Sequence, residues 1–70
     1  MLTLTNIIDE AKRLLGKQTI GIAQVGDLIY ISDGEGHTIV VKATTEQLED
    51  MSLMEFSRFI LEPAIKEATP

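Results

Sequence analysis

A chain of 70 residues with 44% apolar and 24% charged side chains has the composition of one small folded domain spanning 1–70, not of a disordered segment. Six basic against eleven acidic side chains leave a net charge of −5, which argues against direct nucleic-acid binding, where Lys and Arg must displace counterions. With no cysteine, disulfides and cysteine-ligated zinc are excluded. No apolar run approaches the ~20 residues of a membrane span, and no basic-then-apolar leader is visible. A cytoplasmic protein without membrane contact is therefore the expectation.

Leu4, Ile7, Ile8, Ala11, Leu14 and Leu15 recur at the period of one helical stripe. Thr3 or Thr5 caps this first helix; with Thr3 as cap, Leu2 and Ile7 form a hydrophobic staple. Lys12, Arg13 and Lys17 fall late, where the helix dipole favours cations, and Gly16 supplies a left-handed stop.

Residues 19–25 and 28–32 are rich in β-branched side chains and are separated by Gly26-Asp27. Glycine at the first central position suits a two-residue type II′ hairpin. That turn places Val25 opposite Leu28, Ala23 opposite Tyr30 and Ile22 opposite Ile31. One face then carries Ile20, Ile22, Ile29 and Ile31, and the other Gly21, Ala23, Val25, Leu28 and Tyr30. Both faces are apolar.

Asp33-Gly34-Glu35-Gly36 reads as a turn, and a third strand follows over 37–43. Its facing depends on loop length, because a one-residue slip exchanges the two faces. Placing Ile39, Val41 and Ala43 with the isoleucines is favoured, since it keeps Lys42 off the core.

Two capping boxes open the C-terminal helical segment. Thr44-x-x-Gln47 begins a short helix with Leu48 and Met51 inward, and Ser52-x-x-Glu55 begins a longer one. In the latter, Leu53, Phe56, Phe59, Ile60, Ala64 and Ala68 form the expected inward stripe, widened by Met54, Leu61 and Ile65. Pro63 should break or kink this helix and push Glu62 toward extended geometry. Thr69 and Pro70 should fray. The predicted fold class is α+β: an N-terminal helix, a three-stranded antiparallel meander and a C-terminal helical segment, in the order α-β-β-β-α-α.

No catalytic motif is present. Asp33, Glu35 and His37 alternate in a turn, but their spacing matches no metal-binding loop, and a water-exposed strand-end histidine is the simpler reading. The glycines match neither phosphate-loop nor dinucleotide patterns. Gly21 within a strand allows close approach of a side chain, ligand or backbone. No cofactor and no metal are implied.

Charge is uneven: residues 1–17 carry +1, 18–44 carry −2 and 45–70 carry −4. A chain this small buries only about 60% of its unfolded surface and commonly gains stability by association. The expected function is a non-enzymatic protein-binding module that self-associates or occludes a surface of a larger protein. Its contact residues would be Ala23, Val25, Leu28 and Tyr30 on the spare sheet face, with Glu46, Glu49, Asp50 and Glu55 supplying acidic contacts. Size and charge also suit the compact inhibitors that phages and mobile elements direct at host machinery, an analogy that rests on no motif. A second expectation is an oligomeric binder of a small ligand such as a nucleotide signal. Its sites would lie at subunit junctions near Gly21, Tyr30, Lys42, Lys12 and Arg13. A structural assembly component is a third.

Overall fold

The computed structural model describes residues 1–68, so the expectation for Thr69 and Pro70 lies outside the described residues. Helix α1 spans Leu4–Leu15. Thr3 is its cap: the Thr3 hydroxyl accepts from the Asn6 amide at 3.2 Å while the Asn6 carboxamide accepts from the Thr3 amide at 3.1 Å. Leu2 and Ile7, one before the cap and four into the helix, are both buried, as a staple requires. Gly16 ends the helix at φ 68°, a left-handed conformation that a side chain resists.

Strands β1 (Gly21–Val25), β2 (Leu28–Ser32) and β3 (Thr38–Lys42) form an antiparallel sheet in the order β1-β2-β3. The hairpin register is the expected one, from Val25 opposite Leu28 to Gly21 opposite Ser32. Gly26 has φ 60°, and among the described residues none other than glycine has positive φ, the signature of a type II′ turn rather than I′. The β1 strand is shorter than expected at its start.

Helix α2 (Thr45–Asp50) and helix α3 (Leu53–Phe56) each open with a complete capping box, on Thr44 with Gln47 and on Ser52 with Glu55. The Ser52 amide donates to the Glu55 carboxylate at 3.0 Å, and that bond holds the carboxyl below its ordinary range. A backbone bond from Leu2 to the Leu48 carbonyl, 2.8 Å, ties the N-terminus to α2.

The C-terminal helix departs from expectation. Residues Ser57–Leu61 form one turn of π-helix, and α4 (Glu62–Ala68) continues without a break. Glu62 is helical, at φ −60° and ψ −45°, and its amide bonds to the Ser57 carbonyl five residues back. Pro63 therefore does not end the helix. Its ring conflicts with the carbonyl one α-turn earlier, and the wider turn just before it absorbs that conflict. The widening also rotates the buried face. In a regular α-helix Leu61 would sit about 140° round from Phe56, and Phe59 would point inward. Instead Phe56 and Leu61 are both fully buried, Phe59 is 66% exposed, and Ala68 is exposed.

All the helices lie on one side of the sheet. Ile7 and Ala11 of α1, Leu48 of α2, and Phe56 and Leu61 of the C-terminal helix share a core with Ile20, Ile29, Ile31, Ile39, Val41 and Ala43. The third strand thus faces as favoured. Ile22 is half-buried at the sheet's edge.

Candidate protein-binding face

With the helices gathered on one side, the other side of the sheet has no cover from this chain. Registers across the strands arrange it in rows: Val25–Leu28–Lys42, Ala23–Tyr30–Val40 and Gly21–Ser32–Thr38. The middle row is apolar, the first joins two apolar side chains to Lys42, and the third is small and polar. Val25 is 65% and Val40 49% exposed; Ala23 is exposed, while Leu28 and Tyr30 are half-buried among their neighbours. Lys42 supplies the face's one charge. A cluster of this kind around a central tyrosine has the make-up of an interface centre.

Four of the predicted contact residues, Ala23, Val25, Leu28 and Tyr30, are therefore brought together. Val40 belongs with them and escaped the sequence reading, because its facing hinged on the length of the 33–37 turn. The acidic group does not join them. Glu46, Glu49 and Asp50 lie on α2 and Glu55 on α3, exposed but in the helical layer across the core from this face. A partner resting on the sheet would not meet the whole set.

The residues of the ligand-binding alternative also separate within the chain. Gly21, Tyr30 and Lys42 share the open face, but Lys12 and Arg13 lie on α1 on the far side of the core. Within the chain nothing approaches Gly21 closely: a Cβ there would meet only the Ser32 Cβ, at 3.9 Å, an ordinary contact.

The Asp33–His37 turn is organised by its own carboxylate. Asp33 accepts from the amides of Glu35 at 2.7 Å and His37 at 3.2 Å, with the His37 ring at 3.1 Å. The Glu35 amide is the main reason the Asp33 carboxyl is lowered. Glu35 turns away to pair with Lys17, and His37 is 72% exposed. Among the described residues no group of three or more metal-capable side chains converges, and no helix is long and apolar enough to cross a membrane.

One polar contact sits inside the helical layer. Arg13 grips Glu10 in a fork, with Nε and Nη2 at 2.9 and 2.6 Å from the two carboxylate oxygens. These bonds, aided by the buried Ser57 hydroxyl from the first residue of the π turn, hold the Glu10 carboxyl down to about 2 from an ordinary 4.5, against the opposing effect of burial. A folded-state value below the unfolded one means the pair stabilises above about pH 4.5 and loses that contribution as pH falls toward 2. Glu10→Gln is expected to lower stability at neutral pH by about 1 kcal/mol, the upper range for a pair whose arginine is open to solvent. It should also flatten the acid limb between those pH values; urea unfolding across pH measures both. The surrounding groove, about 480 Å³ and lined by Glu10, Arg13, Leu53, Met54, Ser57, Arg58 and Glu62, is open, and its charges are mixed. Nothing in the chain's sequence links Glu10 to Ser57, which meet only through folding.

No protein-family model matches the chain, and no curated protein or solved structure does so either. The open sheet face thus stands as the functional candidate on its geometry alone. Its exposed apolar side chains around Tyr30 suit contact with another molecule.

Proposed function

We propose that the chain is a non-enzymatic protein-binding module, an inhibitor or adaptor that works by seating its open sheet face on a larger protein. The carrying observation is that every helix packs on the opposite side, which leaves Val25, Val40, Ala23, Leu28 and Tyr30 uncovered in one contiguous patch. Water-exposed apolar surface of this kind is costly, and covering it is worth about 25 cal/mol per Å² before association costs are subtracted. Lys42 at the rim favours a partner with a carboxylate beside an apolar seat. The acidic helices, remote from this seat, keep the other side solvated and the complex soluble.

The test is affinity capture on the immobilised chain with three variants in parallel. Tyr30→Lys should lose a stoichiometric partner by at least about 30-fold, as removal of a central aromatic anchor does. Glu49→Lys, in the helical layer, should retain it. Recovery of the same partner in equal yield with Tyr30→Lys and Val40→Lys, both still folded by circular dichroism, would overturn the reading.

A further inference from the structure

The sheet has an open edge as well as an open face, and the hydrogen-bond pattern shows which groups lie along it. The Ala43 amide bonds to the Asp27 carbonyl at 2.9 Å and the Asp33 amide to the His37 carbonyl at 3.2 Å. These bonds continue the β2–β3 ladder at both ends and set its phase. Odd-numbered residues of β2 bond toward β3, so Leu28, Tyr30 and Ser32 bond toward β1. Their partners Val25, Ala23 and Gly21 are thereby engaged. The backbone groups of Ile22 and Gln24 point the other way, out of the sheet.

Nothing guards that edge. The β1 sequence, Gly-Ile-Ala-Gln-Val, has no charge and no proline, its pairing with β2 is continuous without a bulge, and all but Ile22 are exposed. Edges of monomeric sheets are ordinarily blunted by one of these devices. The helix beneath adds to the case. Helix α1 packs against β1, and α4 against β3. At about 100° per residue, Glu10 and Leu14 fall on the flank of α1 that meets the C-terminal helix, whereas Leu4, Ile8 and Leu15 fall on the opposite flank. Those three are half-buried, as is Ile22 above them. The outer side of the domain thus carries an unpaired strand edge over a partly covered apolar flank.

We infer that this edge is filled by a second copy of the chain, with β1 pairing antiparallel to β1 about a two-fold axis at Ala23. The strand complements itself in that register. Ile22 meets the partner's Gln24 with both sets of outward N–H and C=O groups in bonding phase, and Ala23 meets the partner's Ala23, whose small side chains suit the close non-bonded position. A closed two-fold uses the β1 edge of both copies and leaves at the ends of the sheet only β3, which closes on Lys42; β1 brings no charge to the contact although each chain carries −5. Pairing β1 with β1 makes one six-stranded sheet and joins the rows Val40–Tyr30–Ala23 of the two copies into a single apolar band. The dimer stands or falls independently of any larger partner on that band.

The experiment uses the absence of native cysteine. Sedimentation of the wild-type chain at micromolar concentration should give twice the 7.7 kDa chain mass. Ala23→Cys should form an intermolecular disulfide rapidly, because a non-bonded antiparallel pair holds its Cα atoms about 4.5 Å apart, within disulfide reach. Val25→Cys, equally exposed, would lie on the order of 13 Å from its symmetry mate and should cross-link slowly. Gln24→Pro removes one outward amide and no β1–β2 bond, and should return the mass to that of one chain with the circular dichroism unchanged. A wild-type chain that sediments as a monomer throughout, or Ala23→Cys cross-linking no faster than Val25→Cys, would overturn the inference. So would a dimer that survives Gln24→Pro.

Discussion

Phe56→Ala is expected to lower the melting temperature by roughly 20 °C or more. Phe56 is the largest fully buried side chain, at the point where the C-terminal helix enters its π turn and meets the sheet. Removing a buried phenylalanine costs about 3–5 kcal/mol, counting lost transfer energy and the cavity left behind. A domain of this size has roughly 4–10 kcal/mol in total. The loss takes about half of that margin or more, and a core this small has few neighbours able to close the void. Calorimetry should show the cooperative transition moved down by that amount. By contrast Phe59→Ala, three residues on and 66% exposed, should melt close to the wild type. If the two variants melted alike, the helix would be regular through this region and the π turn would be wrong.

The second large effect contrasts neighbours on one strand. Ile31 is fully buried and Tyr30 faces the open side, although the two are adjacent in sequence. Ile31→Lys places a charge among Ile29, Ile39 and Phe56 with no partner, a change that costs more than about 4 kcal/mol and should abolish folding. Tyr30→Lys should shift unfolding by under about 1 kcal/mol, since its surroundings include solvent. Thermal unfolding of both variants checks the claim. Equal destabilisation would mean that the sheet is covered on both sides within one chain, and the candidate face would lose its basis.

The site residues were legible to different degrees, and the reason is local geometry. Ala23, Val25, Leu28 and Tyr30 were assigned to one face because the Gly26-Asp27 turn sets the hairpin register by itself. Val40 was not assigned, since the facing of β3 follows from how the 33–37 turn is closed by Asp33. Only charge groups the acidic residues with the face, and charge composition carries no information on which layer a helix joins. A 3.6-residue period carried through residues 57–61 turns Phe59 inward, but the chain widens its turn there instead.

The chain's own residue order determined the features that close within a few residues. These are the three capping boxes, the Gly16 stop, the type II′ turn and the alternation of β1 and β2, each resting on hydrogen bonds or dihedrals between near neighbours. Only the tertiary structure decided that every helix lies on one side of the sheet, that Glu10 finds Ser57, and that Leu61 displaces Phe59 from the core. Both sheet faces are apolar enough to attract a helix, so local pattern leaves that choice open. It falls to the isoleucine face because Ile29, Ile31, Ile39 and Val41 form an unbroken apolar block against Ile7, Phe56 and Leu61, whereas the other face carries Lys42 and the polar pair Ser32–Thr38 beside Val25, Leu28 and Tyr30.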